Sequence, residues 1–97
     1  MKRIIQGRRS SGSGRRYFSL EAVCETLDFS PRILRLYERR GLVRVEWIKT
    51  FEGGRRAFFS TAELQRLRRI RLLTDEMGVN LAGVEVILRL LERLESR

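Results

Sequence analysis

The twelve residues Ser30-Pro31-Arg32-Ile33-Leu34-Arg35-Leu36-Tyr37-Glu38-Arg39-Arg40-Gly41 carry both ends of a helix within themselves. Ser30 is a good N-cap because its hydroxyl accepts from an otherwise orphan N–H. Pro31 takes the first helical position, where a missing donor is harmless, and Gly41 can adopt the left-handed conformation that closes the helix. At 100° per residue Arg32, Arg35 and Arg39 share one side, with Leu36 at its edge, while Ile33, Leu34 and Tyr37 share the other. A helix this short does not persist alone, so its apolar side must dock on neighbours and leave the arginines outward.

Those neighbours come from a single domain, since 97 residues with 42% hydrophobic content support one modest core. The net charge of +9 is carried mainly by arginine. Arginine's planar fork suits phosphates and guanine edges, so nucleic acid leads the candidate partners over a merely basic surface. One cysteine and no histidine exclude an intrachain disulfide, a histidine-based triad and a metal site of His and Cys ligands. Cys24, between Val23 and Leu27, reads as a small buried hydrophobe. No enzyme and no cofactor are expected. Without an apolar run of bilayer length or a signal-peptide core, the expected location is the cytoplasm, with no membrane partner.

Residues 1–16 hold six basic residues and no acids around a Ser/Gly centre, and are expected to form a flexible basic arm. Tyr17-Phe18 leads into a short helix capped by Ser19, with Leu20, Val23, Cys24 and Leu27 as one buried stripe. Asp28-Phe29 forms a tight turn into Ser30. Two short helices so joined form a helix-turn-helix, whose second member enters the DNA major groove.

After Gly41 the period becomes two: Val43, Val45 and Trp47 alternate with Arg44, Glu46 and Ile48. A return strand at Ala57-Phe58-Phe59 follows a turn at Glu52-Gly53-Gly54, which makes residues 43–59 a hairpin, or wing. Arg55 and Arg56 leave that turn together and are expected beside the duplex backbone. Ser60-Thr61-Ala62-Glu63 is a capping box for a third helix with Leu64, Leu67, Ile70, Leu73 and Met77 inward. Gly78 stops it, and Asn80 caps a fourth helix running toward Arg97. That helix carries one apolar stripe of Val84, Ile87, Leu88 and Leu91 and a second of Val86, Leu90 and Leu94, an arc too wide for one-sided packing. The second stripe is the expected dimer or partner surface. Charge is polarised along the chain: residues 30–56 balance to +5, from eight bases and three acids, and residues 74–97 to −2, from three bases and five acids.

These residues resemble the winged helix-turn-helix of MerR-family transcriptional regulators. The resemblance is carried by Tyr17-Phe18-Ser19-Leu20, by Ser30 to Leu42 with its Leu-Arg-x-Tyr-Glu-x-x-Gly-Leu string, and by Gly54-Arg55-Arg56-Ala57-Phe58. Gly78-Val79-Asn80-Leu81-Ala82-Gly83-Val84 is similar to the junction of the heat-shock repressor branch, HspR. The match covers residues 17–92, with 93–97 as the end of the last helix. It implies a mainly α fold with a small β-hairpin wing, and a repressor of chaperone genes that binds double-stranded DNA as a homodimer, with a chaperone as co-regulator. Carried over by position, Arg35 is the recognition-helix arginine, Tyr37 the tyrosine that approaches phosphate, and Arg56 the wing arginine. Arg32 lies near the helix N-terminus, where base edges are reached. The implied DNA-binding set is Ser30, Arg32, Arg35, Leu36, Tyr37, Arg39, Arg55 and Arg56. Two departures stand out. Ala57 occupies a position where an aromatic commonly follows the wing arginine. The sequence also stops before the long dimerisation helix and effector domain of larger members, so direct small-molecule or metal sensing is not expected. The alternatives are a chaperone-modulator-like interaction module of the CbpM type, or an excisionase-like architectural DNA-binding protein.

Overall fold

A computed structural model describes residues 16–96, so the arm expected over residues 1–16 falls, apart from Arg16, outside the described residues. The order of elements is β1 (Tyr17–Ser19), α1 (Leu20–Leu27), α2 (Pro31–Arg39), β2 (Glu46–Lys49), β3 (Arg55–Ser60), α3 (Thr61–Arg71), a π-helical turn (Leu72–Glu76) and α4 (Leu81–Glu95). This is a mainly α domain with a small antiparallel sheet, the winged helix-turn-helix that the pattern predicts.

Each α-helix opens on a side-chain cap. The Ser19 Oγ accepts from Ala22 N at 3.1 Å, Ser30 Oγ from Ile33 N at 3.2 Å, Ser60 Oγ from Glu63 N at 3.4 Å, and Asn80 Oδ1 from Gly83 N at 2.8 Å. Each bond removes one orphan donor, at about 1 kcal/mol apiece. The capping box at Ser60 forms only in half, because the Glu63 carboxylate accepts instead from Arg44 N at 3.0 Å. Glu63 thereby ties the start of the wing to α3. At the end of α2, Gly41 takes φ 75° and Leu42 N donates to Tyr37 O at 2.9 Å. That six-to-one bond with a buried Leu42 behind it is a Schellman closure. The turn between α1 and α2 places Asp28, a non-glycine, at φ 60°. Aspartate tolerates this conformation better than most residues.

Three features depart from the periodicity. Tyr17–Ser19 is a strand, pairing Tyr17 with Ser60, Phe18 with Phe59 and Ser19 with Phe58. A three-residue edge strand has too short a pattern to announce itself, and its partner lies some forty residues away in sequence. The first wing strand starts at Glu46, since Val43 and Val45 drop toward the core before pairing begins. Finally, α3 runs into a π turn in which Met77 N donates to Leu72 O at 3.2 Å. Met77, expected inward, is 63% exposed. The wider turn breaks the 3.6-residue phase after Leu73, which stays buried, and carries the next apolar position off the core.

The sheet order is β1-β3-β2. Beneath it and the two short helices, Val23, Leu34, Phe59, Leu67, Ile70, Val84 and Leu88 are fully buried. Removing each from water contributes about 1.5–3 kcal/mol, and together they fix α2 against α1, α3 and α4. Cys24 packs at the edge of this core, and burial pushes its thiol up from the ordinary value. The HspR-like junction also has a steric logic. A Cβ on Gly83 would come within 2.8 Å of Val79 Cγ1, so glycine lets Val79 seat against the first turn of α4. Among the described residues no helix is long and apolar enough to cross a membrane.

Candidate nucleic-acid interface

On α2 the burial of Leu34 and Tyr37, with Ile33 and Leu36 packed on the same cluster, turns Arg32, Arg35 and Arg39 to solvent. No carboxylate pairs with these three among the described residues. Ser30, capping the helix, stays exposed at the same edge. Leu36 and Tyr37, both in the implied DNA-binding set, belong to the inner side instead. Tyr37 is 8% exposed and meets Phe29 edge-on at 6.0 Å between ring centroids. Burial, reinforced by Asp75 and opposed by Arg71, raises its hydroxyl above the ordinary tyrosine value. Its ring therefore stabilises the helix-turn-helix.

In the wing, β2 pairs with β3 through Glu46–Phe58, Trp47–Ala57, Ile48–Arg56 and Lys49–Arg55. Thr50 closes the tip: its N–H donates to Gly54 O at 2.9 Å, its Oγ1 accepts from Gly54 N at 3.1 Å, and Gly53 N donates to Thr50 O at 3.1 Å. Gly53 at φ 97° supplies the conformation that this turn needs. Phe51 stands at the tip, fully exposed.

Arg55 and Arg56 do not act as a pair. Successive residues of a strand point to opposite faces. Arg55 shares the face of Trp47 and lies 5.6 Å from its ring centroid, whereas Arg56 turns to the other face. There it lies over the Phe58 ring at 5.6 Å and donates through Nη2 to Glu21 Oε1 of α1 at 3.2 Å. A hydrogen bond from its own backbone, and then the Arg56 guanidinium, hold the Glu21 carboxyl below the ordinary value.

Trp47 and Glu38 were not among the residues singled out for the site. The indole Nε1–H donates to Glu38 Oε2 at 2.9 Å, and the Arg35 guanidinium lies 6.0 Å from the indole centroid. Directly opposed residues share a sheet face with Cβ atoms in contact range. The indole thus lies opposite Ala57, the small residue of the facing strand. The signal for this was present in the sequence, as a lone tryptophan in an alternating strand opposite a small residue.

On α4, Val84 and Leu88 are buried, while Val86, Leu90 and Leu94 are 51%, 52% and 65% exposed. The second stripe is real and uncovered by the described residues.

The chain matches the family model described as MerR HTH family regulatory protein over residues 18–91. It is also 38% identical over 60 residues to a Streptomyces coelicolor protein named as a heat shock protein, HspR. That similarity covers 62% of this chain and 37% of the relative's length. With the helix-turn-helix, the hairpin wing and the outward arginines in place, the chain belongs to the MerR helix-turn-helix family of regulatory proteins and carries its DNA-binding regulator domain.

Proposed function

We propose that this chain is a sequence-specific repressor that reads double-stranded DNA with α2 in the major groove and follows the backbone with the wing. The observation that carries the reading is the row Arg32, Arg35 and Arg39, held outward by a buried apolar side and lacking carboxylate partners among the described residues. Arg32 and Arg35 lie nearest the helix N-terminus and take base edges, where a bidentate guanidinium discriminates guanine from other bases. Arg39 and Arg55 take phosphates, and Arg56 joins them on exchanging Glu21 for the backbone. Repression of stress genes, with a chaperone as co-regulator, is supported by the likeness to HspR.

The same reading makes the protein a homodimer through Val86, Leu90 and Leu94. Such a row left in water is an association site, and a two-fold dimer calls for a palindromic operator.

Titration of a fluorescent random-sequence duplex at several salt concentrations, then of duplexes selected from a random pool, tests the DNA reading. Affinity is expected to fall with a log–log slope of about −0.9 per phosphate neutralised, and selection to recover a common motif. Failure to bind any duplex at low salt refutes it.

A further inference from the structure

Trp47 is the only tryptophan in the chain and stands where α2 meets the wing. Two guanidinium groups from different elements converge on its ring, Arg35 at 6.0 Å and Arg55 at 5.6 Å from the centroid. Its remaining polar handle is engaged by Glu38, one turn along α2 from Arg35. Trp47 as a whole residue is nevertheless 37% exposed, so it is not simply a core residue.

We propose that Trp47 is a positioning residue for DNA recognition: held by Glu38, its indole sets the attitude of Arg35 and Arg55, so that recognition helix and wing present one preformed donor surface. The inference rests on the DNA-binding reading above. The attraction of a guanidinium to an indole face uses no hydrogen-bond acceptor, so its five N–H donors stay available for a base or a phosphate. The indole thus restrains the arginines without consuming what they offer. An unrestrained arginine loses its rotamer freedom on binding, at a cost on the order of fivefold in affinity per side chain. The cation–π contacts move that ordering into the free protein. Ala57 opposite the indole is part of the device, because a large residue there would compete for the same face.

The decisive experiment is a double-mutant cycle on duplex affinity, using duplex selected from a random pool. Trp47→Leu is compared with wild type in the natural background and in an Arg35→Ala/Arg55→Ala background. In the natural background the loss is expected to be about fivefold for each arginine released, about 25-fold in all, with most of it restored by Trp47→Phe, which keeps a ring. With both arginines gone, Trp47→Leu is expected to have no further effect. A merely structural tryptophan weakens binding equally in both backgrounds. That result, or no loss in either background, overturns the proposal.

A second measurement leaves Trp47 in place, and so survives a poorly folding Trp47→Leu. Acrylamide quenching of its fluorescence is expected to rise in Arg35→Ala/Arg55→Ala and to fall when duplex covers the wild type. Unchanged quenching in the double variant overturns the proposal. Wild-type protein that binds no duplex at all refutes the DNA reading instead, so the two failures are distinct.

Discussion

Glu21→Gln is expected to tighten DNA binding while slightly loosening the fold. Arg56 Nη2 lies 3.2 Å from Glu21 Oε1, with the two side chains 42% and 71% exposed, so water screens the pair heavily. Such a pair contributes about 0–1 kcal/mol to stability, which bounds the destabilisation. The same bound limits what a phosphate must overcome to draw Arg56 away, so releasing the arginine gains at most about fivefold in affinity. Because Arg56 reaches a phosphate in both complexes, the number neutralised is the same and the log–log salt slope is expected to stay unchanged. The assay is fluorescence anisotropy with a random-sequence duplex at four or more salt concentrations, run alongside urea unfolding. Removing any acid from a protein of charge +9 also raises its overall attraction for DNA, so the control is Glu21→Gln in an Arg56→Ala background. There the gain is expected to shrink to the long-range part, with no change in slope. The sign of the pH dependence is fixed by the depressed Glu21 carboxyl. Its contribution to stability is present above the ordinary value of 4.5 and is lost as pH falls through the folded value, so wild type and variant converge in stability in acid. An affinity equal to or below wild type, or an undiminished gain without Arg56, refutes the reasoning.

Arg35→Ala is expected to cost about 1–3 kcal/mol on selected duplex and to relax specificity, whereas Arg56→Ala weakens all sequences alike; equal ratios of selected to random affinity for the two variants would remove that division of roles. Tyr37→Phe should protect the fold in alkali. A buried phenol raised above 10.0 binds its proton more tightly folded than unfolded, so the stability it contributes is full below 10.0 and is lost as pH rises through the folded value; urea midpoints from pH 8 to 11 check this, and parallel curves for the two proteins count against it. Leu90→Glu, which places a charge in the middle of the exposed α4 stripe, is expected to yield monomer where the wild type sediments as a dimer at micromolar concentration; a monomeric wild type, or a variant that still dimerises, removes the dimer proposal.

The parts of the fold legible in the sequence were those that local chemistry decides. Ser19, Ser30, Ser60 and Asn80 marked helix starts, Gly41 and Gly78 marked stops, and i, i+3, i+4 spacing found the buried sides of α1, α2 and α4. What stayed hidden depended on partners distant in sequence. β1 exists because β3 offers Phe58 to Ser60 as pairing partners. The Ser60 box is half open because Arg44 competes for the Glu63 carboxylate. Met77 points outward because the π turn inserts a phase change that no residue type announces. For the site, the sequence supplied the arginines but not their directions. Arg55 and Arg56 look equivalent as neighbours, and the pleat alone sends one toward Trp47 and the other toward Glu21.

The division among the arginines weights the free positive charge of the described residues toward α2 and the wing. Arg40 at the end of α2 pairs with Glu85 at 2.6 Å. On α3, Arg66 pairs with Glu92 and donates to Leu42 O at 2.7 Å, and Arg69 pairs with Glu95 at 2.6 Å. Arg71 pairs with Asp75 at 3.1 Å, donates to Asp28 O at 2.7 Å and lies 4.3 Å from the Phe29 ring centroid. Apart from Glu63, which lies 3.8 Å from Arg66, every carboxylate paired with these arginines comes from residues 75–95, the segment with the negative balance. Its acids therefore do not form a separate acidic tail; they neutralise the inner side of α3 and the end of α2. Arg71 goes further and braces the left-handed Asp28 turn that sets α1 against α2. Arg32, Arg35, Arg39 and Arg55 have no such carboxylate among the described residues and gather on α2 and the wing, while Arg68 on α3 and Arg89 and Arg93 on α4 are the other arginines of the helices without one. A positive charge weighted toward α2 and the wing favours approach of a polyanion from that side and raises its on-rate at low salt.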